Sequence, residues 1–109
     1  MKVRYKVWLD NDGKAFGDGP YEMLEKVERL GSLRRAADEM GMSYAQAWNL
    51  LKTLEKRLGF ELMVRKAGGT AGGGSTITPE GKKLMEKYIA FRKEAGDSIE
   101  RLYKKYFND

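Results

Sequence analysis

The chain has 109 residues, 41% hydrophobic and 34% charged, enough for one modest core but without the run of ~20 apolar residues that a membrane-spanning helix needs. It contains no cysteine and no histidine, which excludes disulfides, the usual zinc sites and Ser-His-Asp or Cys-His catalysis. We therefore expect no enzyme, metal or cofactor, while a net charge of +5, from 21 Lys and Arg against 16 Asp and Glu, favours a polyanionic partner.

The N-terminal residues have the pattern of a β-hairpin. Charged and apolar residues alternate from Lys2 to Leu9, which predicts a half-buried strand. Asp12 and Gly13 suit the positive φ angles of a tight turn, and residues 14–16 then form the returning strand. Because this alternation is unlike a secretory signal, we expect a cytoplasmic protein without a membrane partner.

Two amphipathic helices are predicted next, each delimited by capping residues. The first covers residues 20–30, with Pro20 in its first turn and Gly31 at its end. The second follows Ser32, is about nine residues long and ends at Gly41.

A third helix carries strong local signals. Ser43 is a suitable N-cap, and Gln46 three residues later completes a capping box. The helix extends to Gly59, and its predicted buried stripe consists of Ala47, Leu50, Leu51, Leu54 and Leu58. Residues 32–66 hold seven bases against four acids, whereas residues 1–31 hold six of each. The positive excess therefore begins with the second and third helices.

The connection between these two helices is typical of a helix-turn-helix. Ala37 is small where the helices approach each other, Gly41 permits the positive φ of the turn, and Met42 fills the corner. The third helix then has the position of a recognition helix in the major groove of DNA.

Polar and basic side chains are left on the outer surface of the helix pair. Gln46 or Asn49 suits an adenine edge, and Lys52 suits guanine or phosphate. Ser43, at the helix N-terminus, suits a phosphate. The predicted DNA-binding residues of the helices are Arg34, Arg35, Ser43, Tyr44, Gln46, Asn49, Lys52 and Thr53. The alternative, an ordinary solvated helix face, is disfavoured by the tight joint and the positive charge.

A two-stranded wing is predicted after the third helix. Residues 61–66 and 75–78 have strand composition, and Arg65 and Lys66 are placed to contact backbone phosphate. The intervening residues 67–74 contain five glycines. They allow close approach of the backbone to DNA or a ligand, and they equally suit a flexible tip. Both interpretations stay open.

A long last helix is predicted from Pro79, capped by Thr78, to about Phe107. Since a small domain cannot cover so long an apolar stripe, we expect a homodimer, with a helix folded back on its own domain as the alternative. Gly96 marks either a close approach or a bend. The predicted dimerisation residues are Leu84, Tyr88, Phe91, Ala95, Ile99, Leu102 and Tyr106.

Residues 31–81 resemble the DNA-binding domain of LysR-type regulators. The similar motifs are Gly31-Ser32-Leu33, Ala36-Ala37, Leu54 to Gly59, and Thr78-Pro79-Glu80-Gly81. The run from Ser43 to Trp48, the glycine loop and the N-terminal hairpin resemble more closely the ModE family of molybdate-responsive regulators. This resemblance implies a winged helix-turn-helix that dimerises on palindromic operator DNA. Family members that sense molybdate directly carry C-terminal oxyanion-binding domains, which we do not expect in this chain.

The sequence thus predicts a mainly α fold with small β elements, a winged helix-turn-helix over residues 1–81 and a dimerisation helix over residues 82–109. The leading hypothesis is a homodimeric, sequence-specific transcriptional regulator of double-stranded DNA. The alternatives are an oxyanion-sensing or protein-interaction module, with the anion at residues 68–74, and a non-specific architectural DNA-binding protein. An effector or effector-binding partner stays open. So does the role of Trp48, which suits the DNA and wing or simple packing against Phe60 or Met63.

Overall fold

The computed structural model describes residues 1–66 and 74–107. The elements in chain order are β1 (Leu9–Asp10), β2 (Lys14–Phe16), α1 (Asp18–Leu30), α2 (Leu33–Glu39), α3 (Tyr44–Leu58), β3 (Met63–Lys66), β4 (Gly74–Ile77) and α4 (Pro79–Phe107). β1 pairs with β2 and β3 with β4, in two separate antiparallel sheets. The predicted winged helix-turn-helix with an N-terminal hairpin and a long C-terminal helix is confirmed.

The predicted bounds of α3 and α4 are confirmed, whereas α1 begins earlier than predicted. Its first residue is Asp18, because the carbonyl of Gly17 already accepts a hydrogen bond from the N–H of Tyr21 at 2.9 Å. Pro20 lies within this first turn, where N–H groups have no partner inside the helix, and its missing N–H therefore costs no helical hydrogen bond.

One hydrophobic core holds the helices and the wing together. Every element except β1 supplies at least one of its residues, which are Phe16, Met23, Leu24, Val27, Leu33, Ala36, Ala37, Ala47, Leu51, Leu54, Leu62, Met63, Ile77, Met85 and Tyr88. At the surface, Lys26 and Arg29 of α1 both bind the carboxylate of Glu39 in α2, at 3.2 and 3.0 Å. The hydrogen bond from Arg29, and then that from Lys26, lowers the pKa of Glu39. The first two helices are thus joined by apolar packing inside and ion pairs outside.

The N-terminal residues show the predicted alternation of burial but not the predicted strand. Val3, Tyr5 and Val7 are half-buried and their neighbours are exposed, yet only Leu9 and Asp10 of this segment pair with β2. The prediction of a strand from Lys2 onward is wrong because these residues pack on the side of α4 rather than beside another strand. Buried and exposed side chains therefore alternate in this segment although its backbone forms no β-ladder before Leu9.

Gly96 of α4 lies directly beside the N-terminal segment. A β-carbon at this position would lie 2.5 Å from the phenolic oxygen of Tyr5. The glycine therefore permits a close approach, but the approaching group belongs to the N-terminal segment and not to a second helix. Farther along α4, Val3 lines an apolar groove with Ile99 and Leu102.

The predicted dimerisation stripe of α4 is divided by the structure. Tyr88 is only 1% exposed and lies in the core of its own chain, hence its assignment to an exposed dimer face is wrong. Its ring packs edge-on against Phe16, with ring centroids 5.3 Å apart. Leu84 packs on the same core, and Ala95 and Ile99 are half-buried. The exposed members are Phe91, Leu102 and Tyr106, at 52%, 54% and 67%.

A polar junction joins α1, α4 and the N-terminal segment. The hydroxyl of Tyr88 contacts the carboxylate of Asp18 at 2.6 Å and the carbonyl of Val7 at 2.9 Å, and Arg92 donates to Asp18 at 2.6 Å. The hydrogen bond from Arg92 lowers the pKa of Asp18. Burial, followed by the bond to Asp18, raises the pKa of Tyr88 to about 12. Within the described residues, no helix is both long enough and apolar enough to cross a membrane.

Candidate nucleic-acid interface

The joint between α2 and α3 has the geometry that a helix-turn-helix requires. Ala37 and Ala47 are fully buried where the helices cross, and Gly41 adopts a φ of 68°. The backbone N–H of Met42 donates a hydrogen bond of 2.9 Å to the carbonyl of Ala37, and this bond closes the turn. The burial of Ala37 and the positive φ of Gly41 are as predicted, and Met42 is partly buried against the core.

A complete capping box occupies the N-terminus of α3. The Ser43 hydroxyl oxygen accepts a hydrogen bond from the backbone N–H of Gln46 at 3.1 Å, and the side-chain Oε1 of Gln46 accepts one from the backbone N–H of Ser43 at 2.9 Å. The predicted bidentate contact of Gln46 with adenine needs this same oxygen. In the structure the Gln46 side chain holds the start of the helix, and its contact with adenine stays a prediction.

Asn49 and Thr53 lie on the outer surface of α3 and are exposed. Within the described residues neither side chain forms a hydrogen bond to the protein. Lys52 differs, because its ammonium group binds Glu55 at 3.0 Å and lies 4.4 Å from the centre of the Trp48 ring. Asn49 and Thr53 thus present exposed polar side chains that have no hydrogen-bond partner among the described residues.

An aromatic pair organises the cations around the recognition helix. Tyr44 and Trp48 stack with ring centroids 6.3 Å apart. The guanidinium carbon of Arg34, from α2, lies 4.6 Å from the Tyr44 centroid. That of Arg65, from β3, lies 5.8 Å from Tyr44 and 5.6 Å from Trp48. We call these four residues, together with Lys52, the aromatic–cation cluster: Arg34, Tyr44, Trp48, Lys52 and Arg65.

Trp48, whose role sequence reasoning left open, lies in the middle of this cluster. The indole ring is half-buried and contacts basic side chains from both α3 and the wing. Cations over aromatic faces are held by the ring quadrupole. Trp48 is therefore a surface platform between recognition helix and wing, although its inner edge also touches the core.

The base of the wing is fixed to α3 by Glu55, a residue that the sequence analysis missed. Its carboxylate is 8% exposed and accepts hydrogen bonds from the N–H groups of Leu62 at 2.7 Å and Met63 at 3.3 Å. The other carboxylate oxygen binds Lys52. An acidic residue beside the apolar positions Leu51, Leu54 and Leu58 was the available signal.

The two wing strands present the predicted phosphate-binding side chains. In the antiparallel register Arg65 faces Ser75 and Lys66 faces Gly74, and both basic residues are exposed. β4 is attached to the α1–α2 connection, because the N–H of Ser75 donates to the carbonyl of Gly31 at 3.0 Å. The glycine-rich residues 67–73 and the interpretations attached to them lie outside the described residues.

The N-terminal hairpin adds a contact at the other end of α3. Asn11 donates to the backbone carbonyl of Arg57 at 2.6 Å, and the Arg57 guanidinium donates to the carbonyl of Lys14 at 2.7 Å. These two hydrogen bonds join residues that are 46 and 43 positions apart in the chain, and no local sequence pattern indicated them. Arg35, on α2, is exposed and stands outside the aromatic–cation cluster.

Comparison with known proteins agrees with this geometry. The model of the bacterial regulatory helix-turn-helix proteins of the lysR family matches residues 21–82. The chain belongs to the LysR family. This LysR-family chain is also similar to crystal structures of the CbnR DBD–DNA complex, with a TM-score of 0.60 and 22% identity over 78% of this chain and 92% of that one. ArgP from Mycobacterium tuberculosis has a TM-score of 0.55 and 23% identity over 78% of this chain and 30% of ArgP.

The similarity to ModE regulators expected from the sequence is confirmed. The chain is 38% identical over 95 residues to the molybdenum transport protein ModE of Azotobacter vinelandii, covering 86% of this chain and 35% of that protein. It is 30% identical over 89 residues to the DNA-binding transcriptional dual regulator ModE of Escherichia coli K12, covering 81% and 34%. This LysR-family chain therefore spans about a third of the length of these relatives.

Proposed function

We propose that the chain is a sequence-specific DNA-binding transcriptional regulator that binds a palindromic operator as a homodimer. The observation that carries this proposal is the arrangement of one surface. Exposed Asn49 and Thr53 on α3 lie beside a set of cations that α2, α3 and β3 contribute to the same two aromatic rings. A base-reading helix flanked by phosphate-binding cations is the arrangement that DNA recognition requires.

Within this proposal the DNA-binding residues form two groups, one that contacts base edges and one that contacts backbone phosphates. Asn49 has an amide that can pair with the two hydrogen-bonding groups of adenine in the major groove. Arg34, Arg65 and Lys66 have exposed charges at the border of α3 and suit backbone phosphates. Ser43, the N-cap of α3, has a hydroxyl hydrogen that it can donate to a phosphate. The fold shared with a domain solved on DNA, and the regulator function in the name of the Escherichia coli relative, support DNA binding, whereas the division among residues rests on their chemistry and exposure.

The homodimer part of the proposal rests on α4. Phe91, Leu102, Tyr106 and Phe107 are each more than half exposed, although the N-terminal segment covers the neighbouring side of the helix. Four large apolar side chains along one exposed helix indicate a surface that another molecule covers. A second copy is the partner that also places two recognition helices on adjacent major grooves. We assign DNA binding to residues 1–81 and dimerisation to residues 82–109. Two residues of the second segment, Met85 and Tyr88, also belong to the hydrophobic core.

The proposal is tested by selecting a binding site from random duplexes and measuring affinity by fluorescence anisotropy at fixed salt. We expect the selected site to bind ~10³-fold more tightly than random duplexes of equal length. Equal affinity for all duplexes would instead support the architectural alternative. Absence of binding to any duplex would exclude both.

A further inference from the structure

A polar cleft lies between α2, the first turn of α3 and the wing. Its volume is about 190 Å³, and the lining residues that carry chemistry are Ser32, Arg34, Tyr44, Arg65 and Ser75. Arg34 and Arg65 enter it from different elements, yet both contact the ring of Tyr44. Because their guanidinium carbons lie 4.6 and 5.8 Å from the centroid of the same ring, the two guanidinium groups are neighbours.

The charge of this cleft is not compensated by the protein. No carboxylate lines it, and within the described residues neither Arg34 nor Arg65 forms an ion pair. Other basic residues of the chain do have acidic partners, as Lys52 has in Glu55 and Arg92 has in Asp18. Two unpaired positive groups that face one cleft repel each other, and a bound anion relieves that repulsion.

The separation of the two arginines is fixed by the backbone around the cleft. β4 is hydrogen-bonded to the α1–α2 connection through Ser75 and Gly31 at 3.0 Å, while Glu55 fixes the start of β3 to α3. Tyr44 then holds each guanidinium by its ring. Ser32 accepts a hydrogen bond from the backbone and keeps its own hydroxyl hydrogen to donate. Such a set of donors is organised before any ligand arrives.

We propose that this cleft binds one tetrahedral oxyanion of the phosphate type between Arg34 and Arg65. The anion is either a phosphodiester group of the DNA backbone or a free oxyanion such as inorganic phosphate. In the first case the proposal deepens the DNA-binding function proposed above and rests on it. In the second case the cleft is a ligand site in its own right, and the bound anion leaves the affinity for DNA unchanged.

The experiment titrates inorganic phosphate into the full chain without DNA and follows the amide of Ser75 and the Nε–H groups of Arg34 and Arg65 by NMR. We expect saturable shifts at these groups. Arg34→Gln and Arg65→Gln should each weaken phosphate binding about tenfold, because each removes one charged donor pair. Arg4→Gln is the matched control, since Arg4 is an exposed arginine that does not line the cleft, and it should bind phosphate as the wild type does. Shifts that do not saturate, or that persist unchanged in both cleft variants, would overturn the proposal.

A second arm separates the two sources of the anion. DNA affinity is measured in phosphate and in chloride at equal ionic strength, for the wild type and for Arg34→Gln. A loss of affinity specific to phosphate, absent in Arg34→Gln, assigns the cleft to a backbone phosphate. Saturable phosphate binding that leaves DNA affinity unchanged assigns it to a free oxyanion. Saturable phosphate binding by a chain that binds no duplex would retain the cleft site while removing the proposed DNA function.

Discussion

Glu55 on the recognition helix accepts a hydrogen bond of 2.7 Å from the backbone N–H of Leu62, at the start of the wing. The same carboxylate oxygen accepts from Met63, and the other oxygen binds Lys52. One buried acidic side chain thus makes α3 and the first wing strand a single unit. Any surface that needs both elements, as the aromatic–cation cluster does, depends on it.

Replacing Glu55 should therefore destabilise the whole domain. Glu55→Ala leaves two buried N–H groups without an acceptor, and we expect a loss of about 3 kcal/mol in the free energy of unfolding. Glu55→Gln keeps one carbonyl acceptor and should lose less. Urea denaturation followed by circular dichroism measures both, with exposed Glu22→Ala as the control for loss of a surface acid. An alanine variant as stable as the wild type would show that water replaces the carboxylate.

Trp48→Leu should weaken DNA binding while leaving the fold intact. The substitution removes the ring face that contacts Lys52 and Arg65, which is a loss of about 1 kcal/mol or roughly fivefold in affinity. Trp48→Phe retains an aromatic face and should recover most of the affinity. Fluorescence anisotropy on one labelled duplex measures the effect, with thermal unfolding as the check on stability. If the leucine and phenylalanine variants bind DNA equally well, the platform role assigned to Trp48 is wrong.

Asn49 and Lys66 should differ in what their loss does to recognition. Asn49→Ala is expected to reduce affinity for the preferred site by about 1–3 kcal/mol and to relax preference at one base pair, because the amide contacts a base edge. Lys66→Ala should weaken binding to every duplex and make the slope of log affinity against log salt less negative by ~0.9, because one phosphate contact is lost. Affinities on single-base variants of the selected site, at several salt concentrations, distinguish the two. The assignment fails if Lys66→Ala changes the base preference and Asn49→Ala does not.

Leu102→Glu should dissociate the proposed homodimer. It places a charge on an exposed apolar position of α4, and burial of that charge against a second copy is unfavourable. Lys104→Glu introduces the same side chain at an exposed position outside the apolar stripe and should leave the dimer intact. Sedimentation velocity across a concentration series gives the mass of each variant. A wild type that sediments as a monomer at every concentration contradicts the prediction directly.

The junction around Asp18 should make stability depend on acid pH. Its pKa in the folded chain is lowered from 3.8, chiefly by the hydrogen bond from Arg92, and this contribution to stability is present above the unfolded pKa. It is lost as the pH falls through the folded pKa. The difference in unfolding free energy between the wild type and Asp18→Asn should therefore be largest at neutral pH. It should decrease to zero as the pH falls from about 5 to about 2.

Urea midpoints over this pH range give the comparison for Asp18. Asp38→Asn, at an exposed aspartate without an ion pair among the described residues, should run parallel to the wild type. A constant difference between wild type and Asp18→Asn at all these pH values would mean that the carboxylate charge contributes nothing.

Local sequence signals determined most of the secondary structure and the helix-turn-helix joint. Capping residues such as Ser43 and Thr78 act within three residues, and both caps are present in the structure. Helical periodicity placed Ala37 and Ala47 at the crossing for the same reason. Resemblance between short motifs was likewise sufficient for the LysR family and the similarity to ModE.

Only the tertiary structure decided which members of these patterns are available to a partner. Tyr88 and Phe91 lie three positions apart on one predicted stripe, yet Tyr88 is buried and Phe91 exposed, because β2 and the N-terminal segment cover one side of α4. Gln46 is similarly exposed but already bonded. The meeting of Arg34 and Arg65 at Tyr44 joins three elements distant in sequence. Periodicity specifies the face on which a side chain lies, whereas its partner depends on how separate elements pack, and that packing is a property of the whole fold.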